Sequence, residues 1–276
     1  MIIPEFSRHK AICPCAWDFH SLDFMGLPDL RYTRLFWEEM RNTHHGRIFI
    51  LGNGPSLLRQ LKFLGGLKSE ATFGCNYLLD WKELPFIPTY YSITDEHPIK
   101  APLWTYPEVG DKMFRIYGSK ERCVHPMWHW WPMYSDKHRV ENEGMAGFMG
   151  LSGEGEWGCL RTGWCCPNTN VQIAAWLGYR EFYFLGMDTT PVGYIYNPTE
   201  VRKSFPRMFG GIQRSVRRTR QIIEANGGKI YDCTPLGWLN ETYWWPRPDG
   251  EPRPEVPWNH TPVLLYKPLE EVLNGG

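Results

Sequence analysis

Two glycines around an asparagine, in Gly52-Asn53-Gly54-Pro55-Ser56-Leu57, are the residues best suited to chemistry in this chain. Glycine lets a backbone turn tightly and approach a ligand closely. A helix starting at Ser56 would add N–H groups and the positive end of its dipole for a phosphate. A plain tight turn would need the same glycines. Other polar residues stand where apolar runs end: Asn76 after Ala71–Cys75, Asp95 after Thr89–Thr94, and Asp188 after Glu181–Gly186. Asp95, followed by Glu96 and His97, suits a divalent metal (Mg or Mn) bridging a pyrophosphate, and Asp95, His97 or Asp188 could act as a general base. Each aspartate could equally cap a turn or tie down a loop, and His97 could be an ordinary loop histidine. Arg214, Arg217 and Arg218 share one helix face, either as a solvated surface or as a clamp for a diphosphate or an anionic acceptor.

The elements that must hold these residues follow from hydrophobic patterning. Arg47–Leu51 is a short apolar run entering the glycine turn, as a buried parallel strand does, and Leu57, Leu58, Leu61, Leu64 and Leu67 recur at helical spacing up to Gly65-Gly66. Strands are expected at 71–75, 89–94, 113–117, 181–186 and 229–233, with helices over 171–177, entered through Pro167–Asn170, and from about Gly211 to Ala225. Strand, helix and strand at this spacing predict a Rossmann-like α/β fold with a mostly parallel sheet flanked by helices. Ligands bind beyond the carboxyl ends of such strands. Residues 1–45 read as an irregular extension and 46–245 as the nucleotide-binding catalytic domain. Within it, 97–158 is an aperiodic Trp-rich insertion or lid, and 246–276 is a Pro-rich tail over the surface.

The glycine turn does not fit two common nucleotide motifs. The dinucleotide fingerprint needs a third glycine where Leu57 stands, and an acidic residue where the chain has Cys75-Asn76. No Gly-Lys-Ser/Thr follows, so the ATPase loop is excluded as well. Gly-Asn-Gly-Pro-Ser-Leu after a first strand, with Cys-Asn at the second strand end, resembles the family 42 sialyltransferases. It is similar also to the motility-accessory-factor glycosyltransferases and the 6-hydroxymethylpterin diphosphokinase-like proteins. A second block, Arg161-Thr162-Gly163, a helix, then Leu177 to Asp188, carries the same resemblance, with a weaker echo at Lys229-Ile230-Tyr231 and Thr234-Pro235.

The resemblance implies a nucleotide-sugar donor held by Gly52, Asn53, Gly54, Ser56, Asn76, Thr162 and Gly163. It also implies that Tyr194 or Tyr196 helps the leaving phosphate depart. The catalytic histidine of the sialyltransferases would fall near Gly210, but no histidine lies between His138 and His260, so that mechanism is not carried over unchanged. The expected function is glycosyl transfer from an activated nucleotide to a hydroxyl of a glycan or a modified nucleic acid. Alternatives are a metal-dependent diphosphokinase acting on a pterin alcohol with ATP, and a non-catalytic nucleotide-binding relative.

Composition narrows the setting. Formal net charge is zero, which gives no global field towards nucleic acid or anionic membrane. No apolar run reaches the roughly 18 residues of a membrane span, and the first residues lack a signal-peptide layout, so a cytoplasmic protein without membrane insertion is expected. The eight cysteines then read as thiols, and Cys13 with Cys15 lacks the second pair of a zinc site. Fourteen each of Trp, Tyr and Phe serve either to pack irregular loops or as stacking platforms for sugars and bases. Nothing in the sequence sets the oligomeric state.

Overall fold

The structure is a computed structural model describing residues 38–93, 114–119, 129–134, 160–161, 165–189, 192–201, 205–244 and 261–275. Nine parallel strands form one sheet: β1 (Arg47–Leu51), β2 (Thr72–Cys75), β3 (Tyr90–Ile93), β4 (Phe114–Ser119), β5 (His129–Tyr134), β6 (Leu160–Arg161), β7 (Glu181–Leu185), β10 (Lys229–Asp232) and β11 (Leu265–Tyr266). Strands β8 (Val192–Tyr194) and β9 (Asn197–Val201) make a separate antiparallel hairpin. The sheet order is β11-β10-β7-β1-β2-β3-β4-β5-β6. The chain therefore begins in the middle, runs outward through β6, and returns to lay β7 against the other side of β1. That reversal makes β1 and β7 the topological switch point, and in open parallel sheets ligands bind beyond the carboxyl ends of such strands.

Period-two alternation explains why β1 needs helices on both faces. Ile48 and Ile50 point to one side, where Val171, Ile173 and Trp176 of helix α2 (Cys166–Leu177) and Ile212 and Val216 of α3 (Phe205–Ala225) cover them. Phe49 and Leu51 point to the other side, under Leu57 and Leu64 of α1 (Ser56–Leu64) and Leu269 and Val272 of α4 (Leu269–Asn274). The four apolar side chains of β1 are fully buried, each contributing roughly 1.5–3 kcal/mol of transfer free energy. Helix α2 is buried along nearly its whole length, and Gly178 in the left-handed region ends it.

Three expectations change. Helix α1 stops at Leu64, and a 3₁₀ turn over Gly65–Ser69 carries Leu67 into the core. Within 97–158, β4 lies where a strand was expected at 113–117, and β5 adds a further strand of the sheet. Likewise 261–275 is no surface tail. Leu265 and Tyr266 pair with Tyr231 and Asp232, Leu269 and Val272 are buried, and Arg47 Nη1 donates to the Val272 carbonyl (3.0 Å). Among the described residues, no helix is long and apolar enough to cross a membrane.

Candidate functional site

At the switch point the turns after β1 and β7 interlock. Gly52 N–H donates to the Leu185 carbonyl (2.7 Å) and Gly54 N–H to the Gly186 carbonyl (2.9 Å). A Cβ on Gly52 would collide with the Gly186 carbonyl, and one on Gly54 with the Asp188 carboxylate. The two glycines are therefore required by the approach of the β7 loop. The sequence had suggested a ligand as the reason.

Helix α1 has no side-chain cap of its own, because Pro55 occupies the N-cap position. Asp188 supplies the cap from the next strand. Its carboxylate accepts from the Ser56 backbone N–H (3.1 Å) and from Ser56 Oγ (2.6 Å). A carboxylate suits the positive end of a helix, yet burial dominates and raises its pKa to about 6, against the lowering by Ser56 and Arg59. Thr189, next in the chain, is held at φ +48°, a conformation costly for a β-branched residue. The helix N–H expected to meet a phosphate is thus already bonded to an internal anion. Sequence could not show this, since the partners lie 132 positions apart.

The β8–β9 hairpin sits on the same turn. Ile195 N–H donates to the Asn53 carbonyl (2.8 Å), and Ile195 is buried. This brings Tyr194 and Tyr196 beside Asn53, their rings stacked at 5.0 Å, with Tyr77 tilted against Tyr196 at 5.4 Å. All three tyrosines are half-buried. In the half-buried Asn53, Oδ1 is inaccessible and has no hydrogen-bond partner among the described residues. Leaving an acceptor so costs about 1–3 kcal/mol, a penalty that a donor group could return.

Asn76 lies at the adjacent strand end with φ +50°, a conformation asparagine tolerates. Its carbonyl accepts from Tyr91 Oη (2.7 Å), and its Nδ2 donates to Cys166 Sγ (2.9 Å) at the start of α2. Behind it, Asn170 accepts from Ser92 Oγ, tying the end of β3 to α2. Cys166 and Tyr77 went unmarked in the sequence; adjacency to Asn76 was the available signal for Tyr77.

A second polar group, also missed, closes the end of β10. Asp232 accepts from the Thr234 N–H (2.9 Å) and from Asn240 Nδ2 (2.7 Å), while Asn240 Oδ1 takes both the N–H (2.9 Å) and the hydroxyl of Thr242. Burial first, with the Asp188 charge adding, raises the Asp232 pKa to about 7. A polar residue ending an apolar strand was the signal that could have found it.

No protein-family model and no curated protein matches the chain. Solved structures do. A MAf glycosyltransferase from Magnetospirillum magneticum AMB-1 is similar over 73% of this chain, at 15% identity and a TM-score of 0.42; the match spans 35% of that protein, about a third of its length. The sialyltransferase CstII from Campylobacter jejuni, in complex with the substrate analogue CMP-3FNeuAc, is similar over 70% of this chain and 83% of its own, at 14% identity and a TM-score of 0.40. The same enzyme with a trisaccharide acceptor and CMP covers 68% and 81%, at 15% and 0.40.

Of the site residues expected from sequence, the structure joins Gly52, Asn53, Gly54, Ser56, Asp188, Tyr194 and Tyr196 in one cluster, with Asn76 at the neighbouring strand end. On α3, Arg214 and Arg217 are exposed and Arg218 half-buried. Ser215 between them accepts from Asn168 Nδ2 (2.6 Å), which sets the inner face of α3 against the start of α2. Asp95, His97, Thr162 and Gly163 lie outside the described residues. Among the described residues, no three His, Cys, Asp or Glu side chains are grouped to hold a metal.

Proposed function

We propose that the chain is a transferase that takes a sugar from a nucleotide-activated donor and places it on a hydroxyl of a glycan or a modified nucleic acid. The carrying observation is the cluster at the switch point, where the hairpin delivers two tyrosines to an asparagine whose buried acceptor lacks a partner. A donor lying there would rest against Asn53 and Asn76, with Thr162 and Gly163 as further contacts. The hydroxyl of Tyr194 or Tyr196 would donate to the leaving phosphate, stabilising the charge that grows as the glycosidic bond breaks. The acceptor hydroxyl needs a base to take its proton, and Asp95 and His97 are the groups assigned to that task. The exposed Arg214 and Arg217, with Arg218, would meet an anionic portion of the acceptor. A divalent metal at Asp95 would neutralise the donor phosphate if one is used, and no step above depends on it.

The test is a thermal-shift screen of CMP, UDP, GDP and ADP, each with and without magnesium. A ligand that binds the folded state raises the melting temperature with saturation. Stabilisation by one of these at millimolar concentration, lost in Asn53→Ala, is the expected result. Absence of any shift would sink the transferase reading.

A further inference from the structure

Charge is unevenly spread in this chain, although its formal net charge is zero. Helix α3 carries Arg207, Arg214, Arg217, Arg218 and Arg220, no lysine, and a single acidic residue, Glu224. Arg220 is already committed: its Nε donates to Glu224 (2.8 Å) and its Nη1 to the Val263 carbonyl (2.9 Å). Arg214, Arg217 and Arg218 have no ion pair or hydrogen bond among the described residues. They share one face within a single turn, roughly 6 Å along the axis. Arg214 and Arg217 are exposed, and the half-buried Arg218 keeps an inaccessible Nε with no acceptor among the described residues. Like charges so close repel one another until counter-charge arrives from outside.

Closely spaced anions would neutralise this face. The planar fork of arginine takes phosphate oxygens two at a time. An anionic membrane suits the helix less, because Phe209, Ile212, Val216, Ile222 and Ile223 are turned into the core. Between Gln213 and Gln221 no exposed apolar side chain is left to enter lipid. An acidic polysaccharide with a charge on every second sugar is spaced too widely to meet all three arginines. A nucleic-acid strand carries a phosphate on every nucleotide and meets them in succession.

We propose that the outer face of α3 docks a nucleic-acid strand, with Arg214, Arg217 and Arg218 on its phosphates. Contacts of this kind position a backbone and do not read its bases, so binding is indifferent to sequence. Helix α3 follows the β8–β9 hairpin, and Arg214 stands nine residues after Phe205, about 13 Å along the axis. A strand lying along the arginines therefore points back towards the hairpin. Within the transferase reading, on which this last step alone rests, the strand is the acceptor, which selects the modified nucleic acid over the glycan.

The test uses the full chain and a fluorescein-labelled single-stranded oligonucleotide of mixed sequence, read by anisotropy. Neutralising three phosphates gives a slope of about −2 in log K against log salt, so binding should weaken roughly twentyfold between about 50 and about 200 mM NaCl. Arg214→Glu with Arg217→Glu should weaken low-salt binding by roughly tenfold or more. Lys62→Glu with Lys68→Glu changes the net charge equally, at exposed positions across the sheet, and should stay within about twofold of the wild type. No binding at low salt, a slope near zero, or equal loss in both double variants overturns the inference. So does tighter binding of hyaluronate or of phosphatidylserine vesicles than of the oligonucleotide. The slope is read on the wild type, which keeps the test decisive where a variant does not fold. A nucleotide thermal shift without oligonucleotide binding would sink this inference and leave the transferase reading; oligonucleotide binding without any nucleotide shift would do the reverse.

Discussion

The ends of β10 and β1 both carry buried polar groups, and they are finished differently. At β10, Asp232, Thr234, Asn240 and Thr242 satisfy one another with no reactive atom turned outward. At β1, Asn53 keeps an acceptor without a partner among the described residues, as does the Thr189 hydroxyl in the strained loop after β7, and Tyr77, Tyr194 and Tyr196 stand half-buried near Asn53. A saturated network fixes loops, and an unsaturated one stores energy that a ligand can release. The contrast separates scaffold from site where the carboxyls alone would not, since the half-buried Asp188 and the buried Asp232 both have raised pKa values.

The largest effect should come from breaking the saturated side. Asp232→Ala orphans the Thr234 N–H and takes one of the two acceptors from Asn240 Nδ2, and should cost about 3–5 kcal/mol in urea unfolding. Next is Gly52→Ala, whose new methyl meets backbone that cannot swing aside; about 2–4 kcal/mol is expected in the same measurement. The carboxyls give a pH signature of intermediate size. Their folded pKa values lie above those of the unfolded chain, so the folded state binds more protons. Stability should therefore fall as pH rises from about 4 through 7, by a few kcal/mol in total. Thermal melts between pH 5 and 8 would show it, and Asp232→Asn should remove the upper part of the slope. The smallest change in stability belongs to the site: Asn53→Ala removes an unpaired acceptor and should shift stability by less than about 1 kcal/mol. If that variant instead unfolds as readily as Asp232→Ala, the division into scaffold and site fails.

Much of this was legible. Apolar runs such as Ile48–Leu51 and Phe182–Leu185 announced β1 and β7, and the glycine turn marked the passage from β1 into α1. The reason for those glycines was not legible, because the carboxylate above Gly54 arrives from a distant strand. Pro167–Asn170 did signal the start of α2, but the sequence does not show that Asn168, Thr169 and Asn170 are buried, with Asn168 and Asn170 bonded to Ser215 and Ser92. Strand β5 was obscured because its Trp-rich sequence has no period, and β11 because two residues make no pattern. Asn53, Asn76, Tyr194 and Tyr196 were nominated by resemblance, and the structure places all four at the carboxyl edge of the sheet.

Arg47 reaches the Val272 carbonyl across 225 positions, and β1 finds its partner β7 more than 130 residues later in the chain. During synthesis, β1 therefore emerges long before either the strand or the helix that will cover it exists. Its four apolar side chains must wait exposed, or shelter in transient pairings with β2 and α1. Closing such distant contacts makes folding slow and leaves early strand edges open to other chains. The yield of active protein in a cell should accordingly respond to growth temperature and to chaperone supply more sharply than its final stability would suggest.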